Sequence, residues 1–276
     1  MADLRSALGD ARQWPVPNVS VAVVTADGTV AASVGEQDRT YRLASVTKPL
    51  SAYAVLVAVE EGALRLDQPA GPPGATVEHL LAHAAGYDFS SREVRADPGT
   101  RRLYSNTGFE VLGELLEAET GIAFADYARE AVFAPLGMTA TTIGDSPAAG
   151  GSSTAADLSR FAAELQDPRL LDRTTLATAT AVVFPGLRGV LPGFGSQREN
   201  DWGLGFEIRA AKSPHWTGAD NSPATFGHFG QSGTFLWVDP AVSAAVVALT
   251  DRAFGDWAVQ AWPAFSDGVI AALRES

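Results

Sequence analysis

The 276-residue chain predicts an α+β fold: an antiparallel sheet built from both ends of the chain and flanked by helices, with a mainly helical region inserted between the sheet segments. Three observations carry this. Strand composition occurs near the N-terminus and again between Gly203 and Thr250. Segments with the apolar period of a helix fill the stretch between them. No internal repeat or low-complexity tract interrupts the pattern, so one sheet assembled from the two termini is the economical arrangement. The expected division puts residues 1–65 and 201–276 in the sheet domain and 66–200 in a mainly helical domain, with a cleft between them.

Asn18 to Gly35 alternates Val19, Val21 and Val23, then carries Ala26-Asp27-Gly28 before Thr29-Val30. Asp-Gly between β-branched runs signals a hairpin of two antiparallel strands. Ser45 to Glu61 reads as a helix, with Pro49 tolerated near its start and Gly62 as its C-terminal cap. Leu50, Ala54, Val55, Val57 and Ala58 make it apolar nearly all round, which predicts burial. Ala63 to Gly74 is a Pro- and Gly-containing loop, and Thr76 is expected to cap a short helix to Ala82. Gly86 to Thr100 is irregular and polar. Asn106 to Thr120 is a second clear helix, with Phe109, Leu112, Leu115 and Leu116 inward and Gly121 as its stop. A third runs from Ala123 to Phe133. Ser153 is expected to cap a fourth, with Leu158, Phe161, Ala162 and Leu165 inward. Leu171 to Val182 is also expected to be helical. Phe184 to Asn200 holds several Gly and Pro residues and reads as a long functional loop or flap. Strands are expected at Gly203–Ile208, Ala224–Phe229, Gly233–Val238 and Ser243–Thr250, and a closing helix at Ala258–Arg274.

Composition excludes several functions. A net charge of −12 opposes nucleic acid, whose phosphates would be repelled. The absence of cysteine removes disulfides, thiolate metal sites and cysteine nucleophiles. His79, His83, His215 and His228 show no metal-ligand spacing, and no metal or organic cofactor is implied. Met1 to Gln13 carries Asp3, Arg5, Asp10 and Arg12 without a following apolar run, so no signal peptide is expected. No stretch approaches the ~20 apolar residues of a membrane span, and the expectation is a soluble cytoplasmic protein with no membrane partner. The sequence does not set an oligomeric state.

The chemistry concentrates in Arg42-Leu43-Ala44-Ser45-Val46-Thr47-Lys48-Pro49-Leu50. Residues three apart on a helix share a face, so the Ser45 hydroxyl and the Lys48 amine can meet. A serine hydroxyl needs a nearby base, and a lysine whose pKa is lowered can supply it. The chain has eighteen arginines but only two lysines, Lys48 and Lys212. Arginine does not deprotonate in a protein and lysine can, which marks position 48 as one where a proton must leave. A bias toward arginine with two chance survivors explains the scarcity but not the placement. A helix N-terminus would also favour negative charge on the serine oxygen.

Set beside Tyr104-Ser105-Asn106 and His228-Phe229-Gly230, Ser45-Val46-Thr47-Lys48 resembles the serine β-lactamase and penicillin-binding-protein superfamily. The class C β-lactamase, DD-peptidase and carboxylesterase branch is the nearest match. Leu80-Leu81-Ala82-His83-Ala84-Ala85-Gly86, Pro135-Leu136-Gly137-Met138, Ser153–Leu158 and Trp202-Gly203-Leu204-Gly205 are similar to further landmarks, in order, from Tyr41 to Thr250. The resemblance implies the β-lactamase/transpeptidase-like fold with the active site in the cleft. It implies Ser45 as the acylated nucleophile, with Lys48 and Tyr104 as the general base pair that also returns a proton to the leaving group. A tyrosine beside a lysine ammonium is expected to have a lowered pKa. Asn106 would hold a substrate carbonyl or tether Lys48. The backbone amides of Ser45 and Gln231 would hold the oxyanion, with Gly230 allowing close approach of the strand.

Each residue has a plainer reading. Ser45 or Asn106 could simply cap a helix. His83 is expected to hydrogen-bond in the core, and Trp202, Trp216, Phe184 and Phe194 could line an acyl pocket or only fill the core. One departure matters for substrate. His228 stands where many relatives carry a lysine, and an imidazole titrating near 6.5 offers less to a substrate carboxylate. With the short chain and the missing signal peptide, this shifts the expectation toward a carboxylesterase acting on a small-molecule ester or amide. A β-lactamase or D-Ala-D-Ala carboxypeptidase is the alternative, and a non-hydrolytic acyl-binding sensor is a third.

Overall fold

The fold is that of a computed structural model describing residues 2–275. Strands β1 (Val19–Thr25), β2 (Val30–Val34), β8 (Glu207–Ile208), β9 (Phe226–Gly230), β10 (Thr234–Asp239) and β11 (Ala244–Thr250) form one antiparallel sheet. Their spatial order is β2-β1-β11-β10-β9-β8. Val19 pairs with Thr250 and Val23 with Val246, so the two ends of the chain meet at the centre of the sheet.

Side chains alternate across a strand, and here both faces are covered. Val21, Val23, Phe235, Trp237, Val246 and Ala248 face one apolar core with Trp14, Trp262 and Phe265. Val24, Leu236, Val238, Ala245, Val247 and Leu249 face the other, with α2 (Thr47–Glu60), α4 (Asn106–Thr120) and α6 (Ala155–Glu164). Two-sided burial is why β10 and β11 read as unbroken apolar runs. The first core is closed by α8 (Asp256–Arg274) and by α1 (Ala2–Gly9), an element not expected from the sequence. The signal in α1 is slight: Leu4 and Leu8 are its two core residues, one helical turn apart.

Several local expectations are corrected. The strand expected over 203–208 is only Glu207–Ile208, because Trp202 to Gly205 forms a tight turn closed by Gly203 N–H on Phe206 O. Gly205 has a left-handed φ of +86°, and a Cβ there would lie 2.1 Å from that of Ala52 on α2. The 184–200 loop contains a hairpin, β6 (Gly189–Leu191) and β7 (Gly195–Gln197), anchored by Leu191 and Phe194 in the core. The helix expected over 171–182 is α7 (Arg173–Ala179), capped by Asp172. The cap of α6 is Thr154, accepting from Asp157 N–H, because Ser153 belongs to a strand. In α3 (Val77–Leu81) Thr76 occupies the cap position, but its hydroxyl bonds His79 Nδ1 instead of the backbone. Also unforeseen is a small sheet, β3 (Tyr41–Arg42), β5 (Gly151–Ser153) and β4 (Thr142–Ile143), which ties the segment before Ser45 to distant chain. Among the described residues no helix is long and apolar enough to cross a membrane.

Candidate active site

Ser45 is not in the α-helix. It lies on a 3-10 turn, Ala44–Val46, directly before α2. Its side chain caps nothing, because the cap position of α2 is Val46. The turn is entered through Ala44 at φ +46°, a left-handed conformation that costs a non-glycine residue on the order of 1 kcal/mol. Neighbours hold it there. Thr47 Oγ1 donates to Ala44 O at 2.6 Å and accepts from Gly151 N–H at 2.9 Å. Thr234 Oγ1 donates to Leu43 O at 2.9 Å. Ser45 is thereby presented half-exposed at the surface of a buried scaffold.

Lys48 begins the first turn of α2 and is fully buried. Nζ lies 2.6 Å from Asn106 Oδ1, 3.1 Å from Ala148 O and 3.3 Å from Ser45 Oγ. The first two are pure acceptors and take two N–H groups. In a neutral amine the remaining position is the lone pair, and it faces the Ser45 hydroxyl. Burial supports that state, lowering the Lys48 pKa to about 7 against a smaller opposing pull from the Glu110 carboxylate. The Ala148 carbonyl is invisible to motif reading. It is positioned by the loop before β5, where Ser51 Oγ donates to Pro147 O at 2.7 Å.

Asn106 is free to hold Lys48 because Ser105 caps α4, its Oγ accepting from Gly108 N–H. The plainer reading of Asn106 as a cap is therefore set aside. Tyr104 precedes this cap, its ring centroid 4.6 Å from Lys48 Nζ. His83 behaves as a core histidine: Nδ1 accepts from Ser105 N–H at 3.2 Å and its ring packs on Tyr104. His228 Nδ1 lies 2.6 Å from Phe229 O, which can only accept, so the proton is on Nδ1. Nε2, 3.3 Å from Tyr104 Oη, is then the acceptor and the phenol donates to it. The neighbouring Ser45 hydroxyl by itself would lower the phenol's pKa.

Two electrostatic expectations are corrected. The Tyr104 phenol is pushed up, because burial, aided by the nearby Glu207 carboxylate, outweighs the lowering effect of the Ser45 hydroxyl. His228 does not titrate near 6.5: burial, with the nearby Lys48, lowers it to about 3 and keeps it neutral.

Gly230, at the end of β9, brings the sheet against the Ser45 turn. A Cβ there would lie 2.2 Å from Leu43 O and 3.2 Å from Ser45 N. Gln231 follows and is exposed at the mouth of a pocket of about 310 Å³. Ser45 and Tyr104 open onto it. Its apolar walls are Phe89, Leu191, Pro192, Trp202 and Phe229, and its remaining polar walls are His228 and Glu207. Of the four aromatics considered from sequence, Trp202 alone lines this pocket. Trp216 and Phe194 belong to the core, and Phe184 stacks on His79. A larger, open hollow of about 580 Å³ beside the β1–β2 turn and α6 contains none of the reactive groups.

Glu207 was not foreseen. Lys212 Nζ donates to Oε1 at 2.9 Å, as does His215 Nε2 at 2.9 Å, and Trp216 Nε1 donates to Oε2 at 2.6 Å. Burial alone would push its carboxyl up, but the Lys212 ammonium and the hydrogen bonds from His215 and Lys212 hold it well below the usual range. The chain's second lysine is thus buried like the first, as an ion-pair partner.

A serine, a buried amine, a phenol and an amide side chain thus converge on an α+β scaffold. The chain belongs to the Beta-lactamase family, whose model matches residues 10–266. It is 55% identical to a β-lactamase from Mycobacterium bovis of known structure, over 97% of this chain and 99% of that one, with a TM-score of 0.95. It is 31% identical over 148 residues to the esterase EstB of Burkholderia gladioli, covering 37% of this chain and 38% of that protein. It is 25% identical over 147 residues to the D-alanyl-D-alanine-carboxypeptidase/endopeptidase AmpH of Escherichia coli, covering 40% and 38%. These matches span well under half the length of the curated relatives.

Proposed function

We propose that the protein is a serine hydrolase that works through an acyl-enzyme on Ser45, and that its substrates are small carboxylic esters. The carrying observation is the arrangement around Lys48: two N–H groups engaged by Asn106 and Ala148, and the third position turned to Ser45. In this reading the neutral amine takes the Ser45 proton as Oγ attacks the acyl carbon. The oxyanion is held by the amides of Ser45 and Gln231. Tyr104 lies between Ser45, Lys48 and His228 and passes a proton to the departing alkoxide. The Lys48 ammonium returns its proton to the Tyr104 phenolate, which restores the neutral amine; water then attacks the acyl-enzyme carbonyl, the amine takes its proton, and Tyr104 hands a proton to Ser45 Oγ as the acid leaves. The cleft beneath the Ser45 turn, between the sheet and the helical part, is the site of this chemistry.

A neutral His228 and an apolar pocket support esters over substrates that carry a carboxylate. The 55% identity to a protein described as a β-lactamase favours the second reading, β-lactam hydrolysis on the same site, with D-Ala-D-Ala cleavage close behind. Rates on p-nitrophenyl esters, nitrocefin and a D-Ala-D-Ala peptide distinguish them. Intact mass spectrometry after a fluorophosphonate, and separately after a penicillin, identifies the acylated residue and whether the adduct clears. An adduct on any residue other than Ser45 overturns the proposal.

A further inference from the structure

We propose that Glu207 is a specificity-determining residue that makes the pocket reject acyl chains ending in a carboxylate while admitting neutral and cationic ones. This rests on the ester-hydrolase reading of the site. Glu207 is the one charged side chain among the pocket walls. Its counter-ion, Lys212, is fully buried, does not line the pocket, and spends its other donors on the carbonyls of Asp201 and Ile208. The negative end of the pair therefore borders the cavity and the positive end is withdrawn from it. The imidazole of His215 adds no cation, since its Nδ1 accepts from Thr217 N–H at 3.1 Å and its Nε2 proton goes to Glu207. His228 is neutral for the reason given above.

At His228 the pull of Glu207 outweighs the opposing one of Lys212, while a protonated Lys48 opposes it more strongly, and at Tyr104 Glu207 acts to keep the phenol protonated. Lys48 lies behind Ser45 and is mostly neutral above pH 8. An adjoining hollow that shares the Phe89, Tyr104 and Pro192 walls carries Arg95, Arg101 and Arg102 together with Asp88, so the test uses short acyl chains that stay in the Glu207 pocket.

The test uses three p-nitrophenyl esters whose acyl chains have the same short length and end in a methyl, a carboxylate or a trimethylammonium group, assayed at pH 8.5. The ammonium ester is a control, because loss of hydration in an apolar pocket penalises both charges while Glu207 penalises only one. The wild-type protein should favour the ammonium over the carboxylate ester in kcat/KM on the order of tenfold or more, the scale of one poorly screened charge at this range. In Glu207→Gln that ratio should fall severalfold. Should the unpaired Lys212 prevent folding, Glu207→Gln with Lys212→Met removes both charges, and the same fall is expected. Equal rates on the two charged esters, a preference for the carboxylate, or a folded variant that keeps the wild-type ratio overturns the proposal. Failure to hydrolyse even the methyl-ended ester overturns the ester-hydrolase reading itself.

Discussion

Asn106 Oδ1 accepts from Lys48 Nζ at 2.6 Å, across 58 residues of chain, and in doing so points the remaining face of the amine at Ser45. The contact ties helix α4 to the turn that carries the serine. It also bears on the proton inventory of the site, because a neutral amide holds the amine in place without adding a charge that would keep it protonated.

Ser45→Ala should abolish ester hydrolysis and the fluorophosphonate adduct. Lys48→Arg should cost nearly as much despite keeping the charge, because a guanidinium cannot give up its proton to become the base. Initial rates on p-nitrophenyl butyrate decide this, and most of the activity surviving in Lys48→Arg would remove the titratable amine from the mechanism.

Ester hydrolysis should rise with pH and level off above about 7. Lys48 is lowered from its ordinary value to about 7, so the active neutral amine accumulates as pH passes that point. Tyr104 is raised by burial, so no loss from phenol ionisation is expected up to pH 9. A kcat/KM profile checks both limbs.

Asn106→Asp places a carboxylate where the amide oxygen sits. An opposite charge at that range favours the ammonium, so the rising limb of the profile should move upward by about one pH unit or more. A variant that loses activity with the limb unmoved would mean that Asn106 acts on substrate and not on Lys48.

Tyr104→Phe should lower kcat on the order of 100-fold, the usual effect of losing a positioned acid–base group. Since the phenol donates to His228 Nε2, the loss should fall on kcat more than on KM. Steady-state kinetics with two leaving groups of different basicity would show it, the poorer leaving group suffering more.

Arg102 is fully buried and donates to the carbonyls of Asn200, Ala82, Val183 and Phe184, joining the base of the β6–β7 segment to the irregular segment that leads to Tyr104. A lysine ammonium cannot span four carbonyls. Arg102→Lys should therefore lose about 2–4 kcal/mol of stability, from hydrogen bonds to a charged group at roughly 1.5–3 kcal/mol each. Denaturant unfolding monitored by tryptophan fluorescence measures it.

Much of this was legible in the chain. The spacing of Ser45 and Lys48, the Asp-Gly hairpin, the helix over 106–120 and the apolar strands near the C-terminus follow from local periods of three to four or of two residues, which residue order alone sets. The candidate residues Tyr104, Asn106, His228, Gly230 and Gln231 were each visible; in the folded chain Tyr104, His228 and Gln231 line one pocket with Ser45, Asn106 holds Lys48, and Gly230 packs against the Ser45 turn. Whether each carries or lacks a proton was not. The sequence suggested a lowered phenol and a titrating imidazole, and burial by segments more than a hundred residues away reversed the first and removed the second. The third partner of Lys48 is a backbone carbonyl at position 148, which no side-chain pattern announces. Glu207 drew no notice in the sequence and Lys212 stood only as the second lysine; the turn through Gly205 and the edge of the sheet enclose both as a buried ion pair. Residue order determined which groups the site contains. Tertiary packing decided their charges, because desolvation and Coulomb interactions depend on what surrounds a group in space and not on its neighbours in the chain.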